Sequence, residues 1–140
     1  MSEVLLDTNA FIRMIVGQEM RPNARRLIAE SVAEGRLWIS AVTGWEIALL
    51  TTRSRTGRLL EVEGQVSVWF DRVVERTRLR HLPLEAVAAM ESVGLPEPFH
   101  KDPADRFLVA QARAHELTLV TRDRAILDYA AAGHVRAVPC

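Results

Sequence analysis

The sequence contains a single cysteine and no long hydrophobic run. The lone cysteine, Cys140, rules out an internal disulfide and a zinc site built from cysteine ligands. No segment approaches the roughly 18 consecutive apolar residues of a membrane-spanning helix. The first residues also lack the basic and then apolar pattern of a signal peptide. These absences predict a cytoplasmic protein that does not bind a membrane.

The sequence also has no excess of charge of either sign and almost no lysine. The net charge is zero, which argues against a protein that binds polyanions through a strong overall field. Lys101 is the only lysine among the 18 basic residues, and arginines are concentrated in residues 53–58 and 76–80. Arginine forms bidentate contacts with phosphate, so these two clusters are candidates for nucleic-acid binding. A coding bias and an ordinary solvated surface would explain the same pattern.

The length and composition are those of one globular domain, which we expect to span residues 1–140. The chain has 140 residues, of which 49% are hydrophobic and 26% are charged. Short apolar runs alternate with segments of helical periodicity, and residues 53–64 form a turn or a short helix. The predicted strands are residues 4–6, 37–39, 79–82, 117–120 and 135–138, and the predicted helices are residues 8–16, 22–34, 41–52, 66–74, 84–93, 103–115 and 124–132. This alternation predicts an α/β fold with a central, mainly parallel sheet flanked by helices on both faces.

Four acidic residues stand at related places in this pattern. Asp7 and Asp123 directly follow predicted strands, while Glu46 and Asp105 lie in the first turns of predicted helices. In an open parallel sheet, the loops after the strands and the starts of the next helices meet at one edge, where ligands bind. We therefore expect these four acids, which are far apart in the sequence, to converge.

Two of these acids face the apolar side of their helices. Residues three, four or seven positions away from Glu46 and Asp105 are apolar, which places both carboxylates within a core-facing stripe. These neighbours are Val42, Leu49 and Leu50 around Glu46, and Leu108, Val109 and Ala112 around Asp105. A charge that faces a core needs a partner, and two such acids suggest a cation. Carboxylate ligands suit Mg²⁺ or Mn²⁺, which in clustered acid sites activate water for phosphodiester cleavage.

Each acid also has a purely structural interpretation. Asp7 and Asp123 are good N-caps, and Asp105 lies near a helix start, where the helix dipole favours a carboxylate. Glu46 lies too deep in its helix to cap it, so its alternative is a buried ion pair with an arginine. Asp102 is expected to be a cap that stands close enough to support the site.

The remaining polar residues do not suggest a competing nucleophilic mechanism. The four histidines show no metal-ligand spacing and no arrangement with a serine or cysteine nucleophile, so we expect them to be surface or core residues. They are His81, His100, His115 and His134.

The motifs that carry these acids occur in a characteristic order. They are residues 5–9 (LLDTN), 40–46 (SAVTGWE), 100–106 (HKDPADR) followed by 108–112 (LVAQA), and 119–123 (LVTRD). With these motifs the chain resembles the PIN-domain family, and within it the VapC-type toxins of bacterial toxin–antitoxin pairs. The resemblance covers essentially the whole chain.

The resemblance implies a PIN-like three-layer fold and a Mg²⁺- or Mn²⁺-dependent endoribonuclease that acts as a toxin. It also implies an RNA substrate, a homodimer and inhibition by a VapB-like antitoxin. By position in the motifs, the residues that match the acidic quartet of the family are Asp7, Glu46, Asp105 and Asp123. Asn9 and Thr121 match polar positions that support it. The third motif holds two aspartates, Asp102 and Asp105, and the LVAQA segment that follows favours Asp105.

Two alternative functions remain open from the sequence. A phosphatase of the haloacid-dehalogenase kind also places an aspartate after its first strand. It needs a second aspartate two residues later, where this chain has Asn9, and a well-placed lysine, for which Lys101 is the only candidate. The other alternative is a non-catalytic protein that uses a PIN fold to bind RNA or a partner. Nuclease assays with and without EDTA distinguish it from an enzyme.

Overall fold

The computed structural model describes residues 2–52 and 60–140. The first predicted arginine cluster, residues 53–58, lies outside the described residues. The elements are β1 (Glu3–Leu6), α1 (Thr8–Val16), α2 (Pro22–Ala33), β2 (Leu37–Ser40), α3 (Ala41–Thr52), α4 (Val66–Thr77), β3 (Arg80–Leu82), α5 (Ala86–Glu91), α6 (Pro103–Ala114), β4 (Leu117–Thr121), α7 (Arg124–Ala131) and β5 (Arg136–Pro139). Across the two described ranges, no helix is long and apolar enough to cross a membrane.

The strands form one five-stranded sheet in the order β3-β2-β1-β4-β5, and every pairing is parallel. This confirms the predicted α/β class and the predicted parallel sheet. Strands β1 and β4 are neighbours in the centre, with Leu6 opposite Val120. Their carboxyl ends therefore lie side by side at one edge of the sheet. Because of this register, the backbones of Asp7 and Asp123, which follow these two strands, lie close together.

Helices cover both faces of the sheet, so the central strands are buried on both sides. Along β1, Val4 and Leu6 belong to one hydrophobic core with residues of α1, α2 and α4. Leu5 points the other way, into a second core with residues of α6 and α7. This is why β1 is an unbroken apolar run rather than an alternating one. The result is the predicted three-layer arrangement of helices, sheet and helices.

Apolar residues spaced three or four positions apart form a stripe along α4, and this stripe packs on the first of these cores. Phe70 is buried, and its ring lies 5.8 Å from the ring of Phe11, centroid to centroid. Four partly buried residues of the stripe contact the same core, and they are Val66, Trp69, Val73 and Val74. The stripe is therefore used inside the domain rather than at its surface.

The prediction was least accurate for the segment after β3. The sequence predicted a helix over residues 84–93, whereas α5 spans only Ala86–Glu91. The carbonyl groups of Ser92 and Val93 instead accept hydrogen bonds from the guanidinium group of Arg106, at 2.8 and 3.3 Å. Arg106 thus draws the chain away from α5 into the loop that leads to α6.

Candidate active site

Asp7 connects the end of β1 to the start of α1. Its Oδ1 accepts a hydrogen bond from the backbone N–H of Ala10 at 2.7 Å, so the residue is the N-cap of α1. Its Oδ2 accepts a hydrogen bond from the hydroxyl group of Thr121 at 2.5 Å. The residue is only 5% exposed. Both oxygens are therefore held in place by the ends of two neighbouring elements.

Asp123 stands at the corresponding place after β4. Its Oδ1 accepts a hydrogen bond from the N–H of Ile126 at 3.1 Å, so it caps α7. Its own N–H donates to Oγ1 of Thr121 at 2.9 Å. Thr121 is fully buried and links the two aspartates, because it donates to one and accepts from the backbone of the other. The predicted supporting position of Thr121 thus lies between Asp7 and Asp123.

Glu46 reaches the same region from α3. Its Oε1 accepts a hydrogen bond from the hydroxyl group of Thr8, and that hydroxyl also lies 3.1 Å from the hydroxyl of Thr43. Among residues 2–52 and 60–140, no arginine forms an ion pair with Glu46. The alternative of a buried ion pair is therefore not realised in the described chain. Thr8 directly follows Asp7 in the sequence, and this position could have identified it as a further supporting residue.

Asp105 lies in the first turn of α6 and contacts a histidine that the sequence analysis missed. Nε2 of His100 is 3.1 Å from Oδ2 of Asp105. Each of His100, Asp105 and Asp123 offers one ligand atom, and these three atoms lie within 4.8 Å of one another. The prediction that all four histidines are surface or core residues was therefore wrong for His100. The side chains of His81 and His115 are exposed, as expected.

The loop before α6 fixes the place of His100. Nη1 of Arg106 donates to the carbonyl groups of Phe99 and His100, at 3.3 and 3.1 Å. The Phe99 ring packs edge-on against the imidazole, with ring centroids 4.7 Å apart. Nε2 of His100 is buried, and no atom of the described residues completes a well-directed hydrogen bond with it. This nitrogen is therefore available to a ligand beside Asp105.

The other two predicted supporting residues differ in their positions. Asp102 is exposed and caps α6 by accepting a hydrogen bond from Ala104 N–H at 3.0 Å. Its charge nevertheless raises the pKa of Glu46 and of Asp105, so it lies within electrostatic range of the cluster. Asn9 is exposed on the first turn of α1, and no hydrogen bond joins its side chain to the four acids in the part of the chain that the structure describes.

The electrostatics show that the acids form one cluster. Burial raises the pKa of Asp7 to about 6, against the hydrogen bonds from Thr121 and Ala10, and the charges of Glu46 and Asp123 raise it further. The pKa of Asp105 rises to about 8, first through burial and then through the charge of Asp123. Burial also raises the pKa of Glu46. The charges of the other acids thus disfavour ionisation of Asp7 and of Asp105.

This donor set fits a divalent cation. Carboxylates within electrostatic range of one another supply the oxygen ligands that hard cations prefer, and a cation would offset their mutual repulsion. His100 adds one nitrogen donor to the same place. Ligand atoms within 4.8 Å of one another come from His100, Asp105 and Asp123, while Asp7 and Glu46 lie within electrostatic range of this group.

The raised pKa of Asp105 predicts how stability depends on pH when no divalent cation is present. Since the pKa is about 8 in the folded chain and 3.8 in the reference state, folding favours the protonated form. The stabilisation is complete below the lower value and is lost as the pH rises through the higher one. Asp105→Asn should therefore raise the melting temperature, measured in EDTA, by a few degrees more at pH 8 than at pH 5.

Asp71→Asn, at an exposed position of α4, is the matched control and should show no such difference. Equal effects of Asp105→Asn at both pH values would contradict a cluster of interacting carboxylates. A fall in melting temperature at pH 8 would instead indicate that Asp105 stabilises the fold.

Comparison with known proteins supplies the family. The PIN domain family model matches residues 4–132. Ribonuclease VapC22 of Mycobacterium tuberculosis is 29% identical over 130 residues, which cover 92% of this chain and 93% of that protein. The relative therefore has nearly the same extent as this chain.

Solved structures with the same fold include two VapBC assemblies. VapBC2 from Rickettsia felis, bound to a DNA fragment from its promoter, matches with a TM-score of 0.67 and 15% identity over 98% of both chains. VapBC-5 from Mycobacterium tuberculosis matches with a TM-score of 0.63 and 18% identity over 100% of both chains. At these identities the likeness shows a shared fold. Because the family match covers nearly the whole sequence and the relatives are those that the motifs predicted, the chain belongs to the PIN domain family.

Proposed function

We propose that this chain is the toxin of a toxin–antitoxin pair and a metal-dependent endoribonuclease. The observation that carries the proposal is the convergence of four acids from four separate segments. After burial, which is the largest cause, the charges of the other three acids raise the pKa of Asp105, and those of Glu46 and Asp123 raise the pKa of Asp7. The similarity to a protein named ribonuclease VapC22 supports RNA as the substrate. The haloacid-dehalogenase alternative is not retained, because the chain belongs to a different family.

We assign the metal site to Asp7, Glu46, Asp105 and Asp123, with Mg²⁺ or Mn²⁺ as the cation. A bound divalent cation supplies a more acidic water and offsets the charge that develops on the oxygens of the cleaved phosphodiester. The protein holds the ligand atoms before the cation arrives. Thr121 fixes both aspartates at the strand ends, and Thr8 fixes Glu46.

The four acids should be needed for cleavage and not for folding. Asp7→Asn, Glu46→Gln and Asp105→Asn should each lower the rate of RNA cleavage by at least about 100-fold, since even residues that only orient metal ligands cost about 10- to 100-fold when replaced. The rate is measured on a labelled single-stranded RNA with Mg²⁺ or Mn²⁺, on chain purified free of antitoxin. EDTA should abolish the cleavage.

Asp71→Asn is again the control, because it removes an exposed carboxylate of α4 and leaves the four acids of the cluster in place. Cleavage that persists in EDTA would contradict the metal-dependent mechanism. If the wild-type chain binds RNA but does not cleave it under any metal condition, the non-catalytic alternative would replace the enzyme.

We also place His100 in the metal site, beside Asp105 and Asp123. Its buried Nε2 lies among their oxygens while the rest of the imidazole is partly exposed. A nitrogen ligand favours transition-metal ions over Mg²⁺, because Mg²⁺ strongly prefers oxygen. His100 should therefore raise the affinity for Mn²⁺ relative to Mg²⁺.

His100→Gln should lower the Mn²⁺ affinity about 10-fold or more and change the Mg²⁺ affinity much less. Titration calorimetry measures both affinities. Pulsed electron paramagnetic resonance of the Mn²⁺-loaded protein should show coupling to a ring nitrogen that disappears in His100→Gln. His115→Gln, which removes an exposed histidine, should leave the nitrogen coupling and both affinities unchanged. Nitrogen coupling that survives in His100→Gln would exclude His100 as the ligand.

The proposed partners are a second copy of the chain and a VapB-like antitoxin. The solved structures that share this fold include VapBC toxin–antitoxin complexes. Trp45, Trp69 and Phe70 lie on helices and are aromatic candidates for partner contacts. Trp45 is 49% exposed, whereas Phe70 is buried and Trp69 packs on the core. A basic antitoxin side chain suits the negatively charged acid cluster.

A homodimer is the expected form of the chain without antitoxin. The described surface exposes further apolar residues of the α5 region, and they are Val87, Met90 and Val93. Their burial would remove apolar surface from water. Light scattering at micromolar concentration should give twice the mass of one chain. A monomer at that concentration would contradict the dimer.

A further inference from the structure

A cavity of about 800 Å³ is lined in part by the two residues that flank Asp123 in the chain, Arg122 and Arg124. Its walls come from three places, which are the connection between α1 and α2, the start of α7 and the end of β5. Four of its lining residues are arginines, and one is acidic, Glu19. The arginines are Arg13, Arg21, Arg122 and Arg124. A chain with zero net charge therefore places several positive charges around this cavity.

The positive charge of the cavity is only partly neutralised within the described residues. Nη1 of Arg13 donates to the side-chain oxygen of Gln18 at 2.7 Å and to a backbone carbonyl, both uncharged acceptors, and its Nε is buried without a partner. Arg124 contacts Asp128 at 3.3 Å, but both side chains are largely exposed, and such pairs contribute little. Arg122 forms no ion pair with any residue that the structure describes.

The cavity adjoins the acids directly. Arg122 and Arg124 flank Asp123 in the chain, and Cys140 N–H donates to the carbonyl of Thr121 at 3.1 Å. The hydroxyl of the same threonine holds Asp7. The pKa of the Cys140 thiol is raised to about 11 by burial and by Asp7, while Arg122 and Arg13 lower it. Cys140, which lines the cavity, thus lies close enough to Asp7 and to these two arginines for their charges to act on its thiol.

We propose that this arginine cavity binds the phosphodiester backbone of the RNA strand next to the cleaved bond, an inference that rests on the proposed function. An RNA strand that brings one phosphate to the acids also brings its neighbouring phosphates, which the carboxylates repel. Guanidinium groups beside the acids offset this repulsion, and their planar donors match phosphate oxygens. Contacts to the backbone fix the position of the strand without reading its sequence.

An acidic segment of the antitoxin is the competing occupant. RNA is favoured because the cavity continues from the acids at which the substrate must react, and because its repeated charges match several arginines at once. The antitoxin, by contrast, is expected to bring a basic side chain to the acids. The competition between the two occupants is an outcome of the experiment.

The second arginine cluster of the sequence provides a matched control. It comprises Arg76, Arg78 and Arg80, at the end of α4 and the start of β3. Arg80 stacks on Trp38 at 4.2 Å and its Nη1 lies 3.5 Å from the carbonyl of Gly35. Because β3 is parallel to the other strands, its first residue lies where the strands begin, whereas the acids lie where the strands end. We therefore expect this cluster to contribute less to RNA binding than the cavity does.

The experiment compares two pairs of exposed arginines. Arg122→Gln/Arg124→Gln changes the cavity, and Arg76→Gln/Arg78→Gln changes the control cluster. Fluorescence anisotropy measures the affinity for a short single-stranded RNA over a range of salt concentrations, with EDTA present to prevent cleavage. The cavity pair should weaken binding and flatten the plot of log affinity against log salt by about 1.4, since each lost phosphate contact to a single strand contributes about 0.7. The control pair should leave the slope unchanged.

The outcomes separate the inference from the function on which it rests. If the wild-type chain neither binds RNA in EDTA nor cleaves it with Mg²⁺ or Mn²⁺, both the proposed function and the inference are wrong. If it cleaves RNA with a cation but binds none in EDTA, the inference alone is wrong. If it binds RNA and both pairs keep the wild-type slope, the inference alone is wrong. An unchanged RNA slope together with a weaker complex between the cavity pair and the antitoxin would assign the cavity to the antitoxin. Melting curves of both pairs establish that they fold, and Arg13→Gln provides an additional variant on another wall of the cavity.

Discussion

The site depends on the hydroxyl group of one buried threonine between two central strands. Thr121 donates to the carboxylate of Asp7 and accepts the N–H of Asp123, so it joins the two strand ends that carry the acids. This contact requires that β1 and β4 pair in parallel and in the observed register, with Asp7 N–H bound to the carbonyl of Val120 at 3.0 Å. A shift by one residue would move every side chain of the strand to the other face. The register of β1 and β4 therefore determines whether the two aspartates meet.

Capping and site formation, which look like alternatives in the sequence, are carried out by the same carboxylates. Asp7, Asp102 and Asp123 each cap a helix and each take part in the electrostatics of the cluster. The starts of α1, α6 and α7 thus point at one place. Their positive dipole ends oppose the repulsion among the acids. This helps a folded chain to hold so many carboxylates together before a cation binds.

The sequence predicted what depends on local pattern and missed what depends on contacts across the chain. Periodicity gave α1 with the observed bounds and gave both predicted strands that lead to Asp7 and Asp123. His100 was missed because it lies in a loop, and its place beside Asp105 depends on Arg106 holding the loop carbonyls. No spacing rule for metal ligands describes that arrangement. The roles of the acids themselves remain a prediction that mutation will test.

The arginine cavity was missed for the same reason, since its walls come from three distant segments and no cluster in the sequence marks it. The cavity also shows that a net charge of zero does not mean an even distribution of charge over the protein. A protein with a strong overall positive field would bind any polyanion, including the DNA and RNA that it does not cut. Here the positive charge lies beside the acids, with Asp123 between Arg122 and Arg124 in the chain. If the chain cleaves RNA as proposed, a ligand that presents phosphates to the arginines and a reacting phosphate to a cation held by the acids would satisfy both halves of the site.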